Sequence, residues 1–152
     1  MAPPLFTQLR RSALVRALTP RLLPALGVAL TIAAGLSARA YLSGFWAKYL
    51  GVALWSTCLY AGLLALRPRL SLTRATALCL LLSWLVELAQ LTPGPAYLSA
   101  QHPLLRLLFG TTFSLADLPA YLLGTLLGAA VHAELLRRRR RRDMSPGPRA
   151  FY

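Results

Sequence analysis

Only four acidic residues stand among the 152 of this chain, against 17 lysines and arginines. Two of the four, Glu87 and Asp117, fall within or beside long apolar stretches. Glu87 is followed three positions later by Gln90, which puts both on one helix face. Asp117 heads a stripe with Tyr121, Gly124 and Gly128, at steps of four, three and four residues. Arg39 and Arg106 border other apolar stretches. An ionisable side chain at mid-bilayer costs roughly 2.5–3.5 kcal/mol on insertion scales, so each such residue marks a functional site or a buried pair. The chemistry open to this set is recognition. A carboxylate, a carboxamide and a phenol can hydrogen-bond a polar group, and a guanidinium can hold phosphate or carboxylate through two parallel bonds.

Each residue also has a plainer role. Glu87 can pair with Arg39 or Arg106 and tie helices together. Asp117, just ahead of Leu118 and Pro119, is a good helix N-cap with a favourable interaction with the helix dipole. Gly124 and Gly128 form a GxxxG, read first as close helix packing and second as a homo-oligomer contact. No GxSxG, HExxH, P-loop or GxGxxG is present, so no enzyme is nominated. His102 and His132 stand alone, and Cys58 and Cys79 lie far apart in apolar runs. Neither pair suggests a metal site or a cofactor, and both cysteines are expected as free thiols buried in helices.

The elements that must position these groups follow from the apolar runs. Leu22–Ala38 and Tyr49–Leu66 carry no charge, and a third run over Ala75–Leu91 and a fourth over Leu118–Leu136 carry few. A bilayer core about 30 Å thick needs about 20 helical residues, with a lower limit near 17. The bilayer leaves backbone groups no partner outside a helix or a closed barrel, and the alternating pattern of a barrel strand is absent. The fold class is therefore all-α, a polytopic membrane protein with four transmembrane helices. A basic segment, residues 1–21, precedes the membrane domain of residues 22–136, and a polybasic, disordered tail is expected over 137–152. Residues 92–103, rich in proline, read as a loop. Arg10, Arg11 and the Ala38-Arg39-Ala40 triplet imitate a cleaved secretory signal, but a retained anchor is the simpler reading.

Basic residues set the orientation. Arg10, Arg11, Arg16 and Arg21 precede the first run, Arg67, Arg69 and Arg74 follow the second, and Arg137–Arg142 with Arg149 follow the fourth. Arg39, Lys48 and Arg106 alone occupy the alternate connections. By the positive-inside rule both termini are cytoplasmic, N-in/C-in. That places Arg39, Glu87, Gln90, Arg106, Asp117 and Tyr121 near the outer face, with Arg39, Glu87, Gln90, Asp117 and Tyr121 as the candidate binding cluster, and leaves the cytoplasmic half of the membrane domain almost without polar residues. Arg137–Arg142, directly after a membrane helix, suits anionic lipid at about 1 kcal/mol per charge and not nucleic acid. Trp46, Trp55, Trp84, Tyr41, Tyr49 and Tyr60 read as interface and packing residues.

Four blocks carry a family resemblance. They are Gly35-Leu36-Ser37-Ala38-Arg39, then Lys48-Tyr49-Leu50-Gly51 with Leu54-Trp55, then Glu87-Leu88-Ala89-Gln90-Leu91, and Gly110-Thr111-Thr112-Phe113 with Asp117-Leu118-Pro119-Ala120-Tyr121 and Gly124. In order and spacing over about residues 25–135 the chain resembles the domain-of-unknown-function 2809 family of small bacterial membrane proteins. The Glu87/Gln90 pair and the Asp117 to Gly124 stripe are more distantly similar to VanZ-like membrane proteins. Val52 stands where the family pattern has Asp. The resemblance implies a fold and a bacterial cytoplasmic membrane location, and brings no reaction with it. The functional expectation is a non-enzymatic binding or accessory protein whose outer-face cluster engages a lipid head group or envelope precursor. The alternatives are a structural scaffold subunit of a membrane complex and, less favoured, a small transporter.

Overall fold

The computed structural model describes residues 5–144, with side chains described for 20–141 and 144. Six helices follow in order: α1 Leu5–Tyr41, α2 Gly44–Leu66, α3 Leu72–Ala89, α4 Pro93–Gln101, α5 Pro103–Phe109 and α6 Asp117–Met144, with no strand among the described residues. Four of them contain segments long and apolar enough to cross a membrane: Pro20–Tyr41, Gly44–Leu66, Leu72–Ala89 and Asp117–Arg141. At 1.5 Å per residue the 18-residue segment of α3 is about 27 Å long and the 23-residue segment of α2 about 35 Å. Both match the thickness of a hydrocarbon core.

The distribution of side chains is that of a membrane protein. Leu22, Leu30, Leu36, Leu81, Leu85, Leu123 and Leu127 are exposed, whereas Ser56, Thr57, Ser83, Glu87, Asp117, Thr125 and His132 are buried. In water such an arrangement would leave large apolar area facing solvent. In lipid the leucines lose nothing, and helices associate through small residues and interhelical hydrogen bonds.

The interior is built from four-residue periodicity. Ala75, Cys79, Ser83 and Glu87 are the buried residues of α3, one per turn on a single stripe. They face α6, whose Asp117, Tyr121, Thr125 and His132 are buried in turn, while Ser56, Thr57, Tyr60 and Leu64 come from α2. The glycines make this contact close. A Cβ at Gly124 would collide with the backbone of Ala53, and one at Gly128 would lie 2.8 Å from the Tyr60 ring. The GxxxG is thus occupied within the chain by α2, so the homo-oligomer reading of that stripe meets a face already covered.

Contacts of Gly27 with Ala61 and Gly35 with Leu54, of Gly124 with Ala53 and Gly128 with Tyr60, and of Cys79 with Thr125 and Glu87 with Tyr121 fix the directions. The α2 and α6 helices run parallel, and α1 and α3 run against them. One end of the bundle therefore holds the end of α1, the start of α2, the end of α3 and the start of α6. The small helices α4 and α5 pack on each other at that end. They correct the expected loop over 92–103. Pro93 and Pro103 each begin a short helix, where a missing N–H costs nothing, and Pro95 and Ser99 are buried.

At the other end α6 continues through the arginine run to Met144, where the sequence reading has a disordered tail beginning at residue 137. Pairing along the helix supports this. Glu134 bonds Arg138 at 2.8 Å and lies 3.7 Å from Arg137, the i,i+4 and i,i+3 spacings that stabilise exposed helices. The remainder of the expected tail, residues 145–152, lies outside the described residues.

Candidate functional site

Glu87 is completely buried on the last turns of α3. Its Oε2 accepts a hydrogen bond from the Tyr121 hydroxyl at 2.8 Å, and its Oε1 accepts one from the Ser114 backbone N–H at 2.5 Å. The expected pairing with Arg39 or Arg106 is not formed. The carboxyl is satisfied by neutral donors from two segments, the second turn of α6 and the 110–116 connection. Its position is that of a strut: it fixes Tyr121 and holds the connection down over the bundle.

Gln90 performs a related task one turn on. Its Nε2 donates to the Phe109 carbonyl at 2.7 Å, and the Ser99 hydroxyl donates to the carbonyl of Gly110. Gly110 itself has φ of 64°, and a Cβ there would stand 2.6 Å from the Gln90 amide. This is a position where glycine is required both for conformation and for space. Gln90 Oε1 is buried without a hydrogen-bond partner.

Asp117 is the first residue of α6, where its charge suits the helix dipole, but among the described residues its carboxylate caps no α6 backbone N–H. It also forms an ion pair with Lys48 of α2 at 3.0 Å, and Lys48 donates in addition to Ser114 Oγ at 2.9 Å. Tyr121 stacks edge-on against Trp55, with ring centroids 5.6 Å apart.

These groups surround a cleft of about 970 Å³. Its walls come from α1 (Thr31, Ile32, Gly35, Leu36, Arg39), α2 (Ala47, Lys48, Gly51, Leu54, Trp55, Cys58), α3 (Val86, Gln90), α5 (Leu104, Arg106, Leu107) and the following connection, Gly110–Ser114, with Asp117 and Tyr121. Arg39, Gln90, Asp117 and Tyr121 thus meet in one cavity, whereas Glu87 lies behind the wall and reaches it through Tyr121. Lys48 and Arg106, absent from the sequence-derived site, belong to it. Three cations and one carboxylate line the cleft. Among the described residues neither Arg39 nor Arg106 has a carboxylate within 4.0 Å.

A second polar group lies deeper, between α2, α3 and α6. Ser56 Oγ donates to the Tyr121 carbonyl at 2.9 Å and lies 2.7 Å from Thr125 Oγ1, Thr57 Oγ1 donates to the Gly124 carbonyl at 2.9 Å, and Cys79 Sγ donates to the Ser56 carbonyl at 3.3 Å. Further along, the Tyr60 hydroxyl and His132 Nδ1 are 3.1 Å apart. This half of the domain is therefore not apolar, as the sequence reading has it. The four-residue spacing from Ala75 to Glu87 was the available signal. Of the two cysteines, both free, Cys79 is buried in this seam, but Cys58 is only partly buried and lines the cleft.

Fold and site together define a multi-pass helical membrane protein with a cation-lined cleft at one end of its bundle. Residues 41–125, more than half of the chain, match the family model described as "Protein of unknown function (DUF2809)", and the chain belongs to that family. The match is narrower than the expected 25–135: it takes in Lys48, Glu87, Gln90, Arg106, Asp117 and Tyr121 and stops two residues short of Arg39. No curated protein and no solved structure matches the chain.

Proposed function

We propose that this protein is a non-enzymatic binding or accessory protein of the bacterial cytoplasmic membrane, whose cleft engages the polar head group of a lipid or lipid-linked envelope precursor. The observation that carries this reading is the convergence of Arg39 from α1, Gln90 at the end of α3, and Asp117 and Tyr121 from α6 on one cleft at the end of the bundle. Side chains needed only to hold helices together have no reason to leave a cavity between them. The distribution of basic residues supports an N-in/C-in orientation, in which the cleft faces the outer surface, where envelope precursors are used. The distant likeness to VanZ-like proteins points the same way. Arg137–Arg142 would then lie at the cytoplasmic surface, against anionic lipid.

In this reading Arg39, Gln90, Asp117 and Tyr121 contact the ligand, and Glu87 is a positioning residue acting through Tyr121 and the 110–116 connection. The test is genetic. In cells lacking the gene, Asp117→Asn and Glu87→Gln variants are expected to insert normally but fail to restore an envelope-stress or drug-sensitivity phenotype. Full restoration by both would overturn the reading. The scaffold alternative rests on the satisfied state of Glu87; it predicts that the same variants lose the folded protein itself.

A further inference from the structure

The cleft has two unlike ends. At the mouth stand Arg39, Arg106 and the Lys48–Asp117 pair, and at depth the lining turns apolar with Ile32, Leu36, Leu54 and Val86. Its two sides, α1 and α3, barely touch, because α1 packs almost wholly on α2. The floor is α2, and the gap between the sides faces the bilayer. Ile32 and Leu36 line the cleft, stand within the membrane-crossing segment of α1 and are 43% and 53% exposed, so in a bilayer the apolar depth would be open to lipid.

Charge decides what the mouth accepts. Three cations against one carboxylate leave it electropositive, and two of the cations are guanidinium groups with no carboxylate partner among the described residues. A guanidinium offers a planar fork of donors suited to phosphate oxygens. Near the low-dielectric hydrocarbon such a contact is screened less than in water.

We infer that the occupant is an anionic, phosphate-bearing lipid that enters sideways between α1 and α3, its phosphate at Arg39 and Arg106 and its chain against Ile32, Leu36 and Val86. This rests on the reading of the cleft as a head-group site and narrows its ligand. Lateral entry separates it from a pocket for a soluble phosphate, which needs neither the gap nor the apolar depth.

Trp55 lines the cleft and is the natural reporter, since Trp46 and Trp84 are exposed elsewhere. The full chain carrying Trp46→Phe and Trp84→Phe is reconstituted in phosphatidylcholine vesicles, and a small fraction of lipid is replaced by brominated-chain phosphatidic acid or brominated-chain phosphatidylcholine. Bromine quenches Trp55 when the chain lies in the cleft. The expected result is a relative affinity for phosphatidic acid about tenfold above that for phosphatidylcholine, equivalent to about 1.4 kcal/mol. Arg39→Gln with Arg106→Gln should bring the ratio to one without altering the circular dichroism of the protein, and added glycerol phosphate should not reverse the quenching.

Equal quenching by the two lipids, or a ratio the double variant leaves unchanged, would overturn the anionic preference. Reversal by glycerol phosphate would overturn the lipid in favour of a soluble anion. Either result combined with loss of function in Asp117→Asn would refute this inference and leave the head-group reading standing, whereas an Asp117→Asn variant that restores function fully would remove the head-group reading itself.

Discussion

Two polar regions lie within a few turns of each other and treat the same kinds of atom in opposite ways. In the seam between α2, α3 and α6, Ser56, Thr57, Thr125 and Cys79 find partners in the protein, and Gly124 and Gly128 bring the backbones close enough for those bonds to form. In the cleft between α1, α2 and α5, Arg39 and Arg106 have no carboxylate partner among the described residues, and about 970 Å³ is left open beside them. A closed seam is an answer to the packing problem of a membrane bundle. An open cationic cleft is not, since exposed guanidinium groups without a carboxylate partner add nothing to the packing of the bundle. Glu87 joins the two, contributing from the packed interior to the shape of the open site.

Substitutions ordered by their effect on stability sharpen that contrast. The largest belongs to Gly124→Ala, whose methyl group meets the Ala53 backbone and must part α6 from α2. About 3 kcal/mol of destabilisation is expected, the upper end of the overpacking range, read as loss of folded protein in a detergent unfolding titration. Next comes Glu87→Ala, which strands the Tyr121 hydroxyl and the Ser114 N–H. About 2 kcal/mol is expected for unpaired buried donors, and Glu87→Gln, which keeps one carbonyl acceptor, should cost clearly less in the same titration.

Thr125→Val removes a single seam hydroxyl, and interhelical hydrogen bonds in membrane bundles average about 0.6 kcal/mol; a small shift of the unfolding midpoint should show it. The smallest change is expected for Arg39→Gln and Arg106→Gln, within about 0.5 kcal/mol as for residues without packing partners. Equal destabilisation by the seam and cleft variants would erase the distinction between them.

The sequence carried the helical architecture because the bilayer allows so few solutions. Four uncharged or nearly uncharged runs of the right length leave little else to build. The clustering of Arg39, Gln90, Asp117 and Tyr121 was legible for a similar reason: helix directions alternate, so polar residues near alternate ends must meet. What could not be read was pairing. A one-dimensional pattern does not say whether Glu87 meets a guanidinium, a hydroxyl or a backbone N–H, and the answer depended on how the 110–116 connection folds back over α3. Lys48 reads in the sequence as a marker of topology alone, which hides its place in the cleft, whereas Arg106 reads as an outer-face residue without a defined role in the cluster. The seam hydroxyls, Ser56 and Thr57 on α2 and Thr125 on α6, carry little weight in a hydropathy count, and the signal for the seam is the four-residue spacing of Ala75, Cys79, Ser83 and Glu87 on α3. The helices α4 and α5 were obscured by prolines, which begin helices as readily as they end them.

The central claim is that the cleft cations serve a ligand and not the fold. Lipid extracted from the purified full-length protein, identified by mass spectrometry beside the unfolding midpoint of the same sample, tests it most directly. The account predicts that the parent protein retains an anionic phospholipid through purification, and that Arg39→Gln with Arg106→Gln loses it while the midpoint stays where it was. Retention of the same lipid by the double variant, or loss of lipid and fold together, would contradict it.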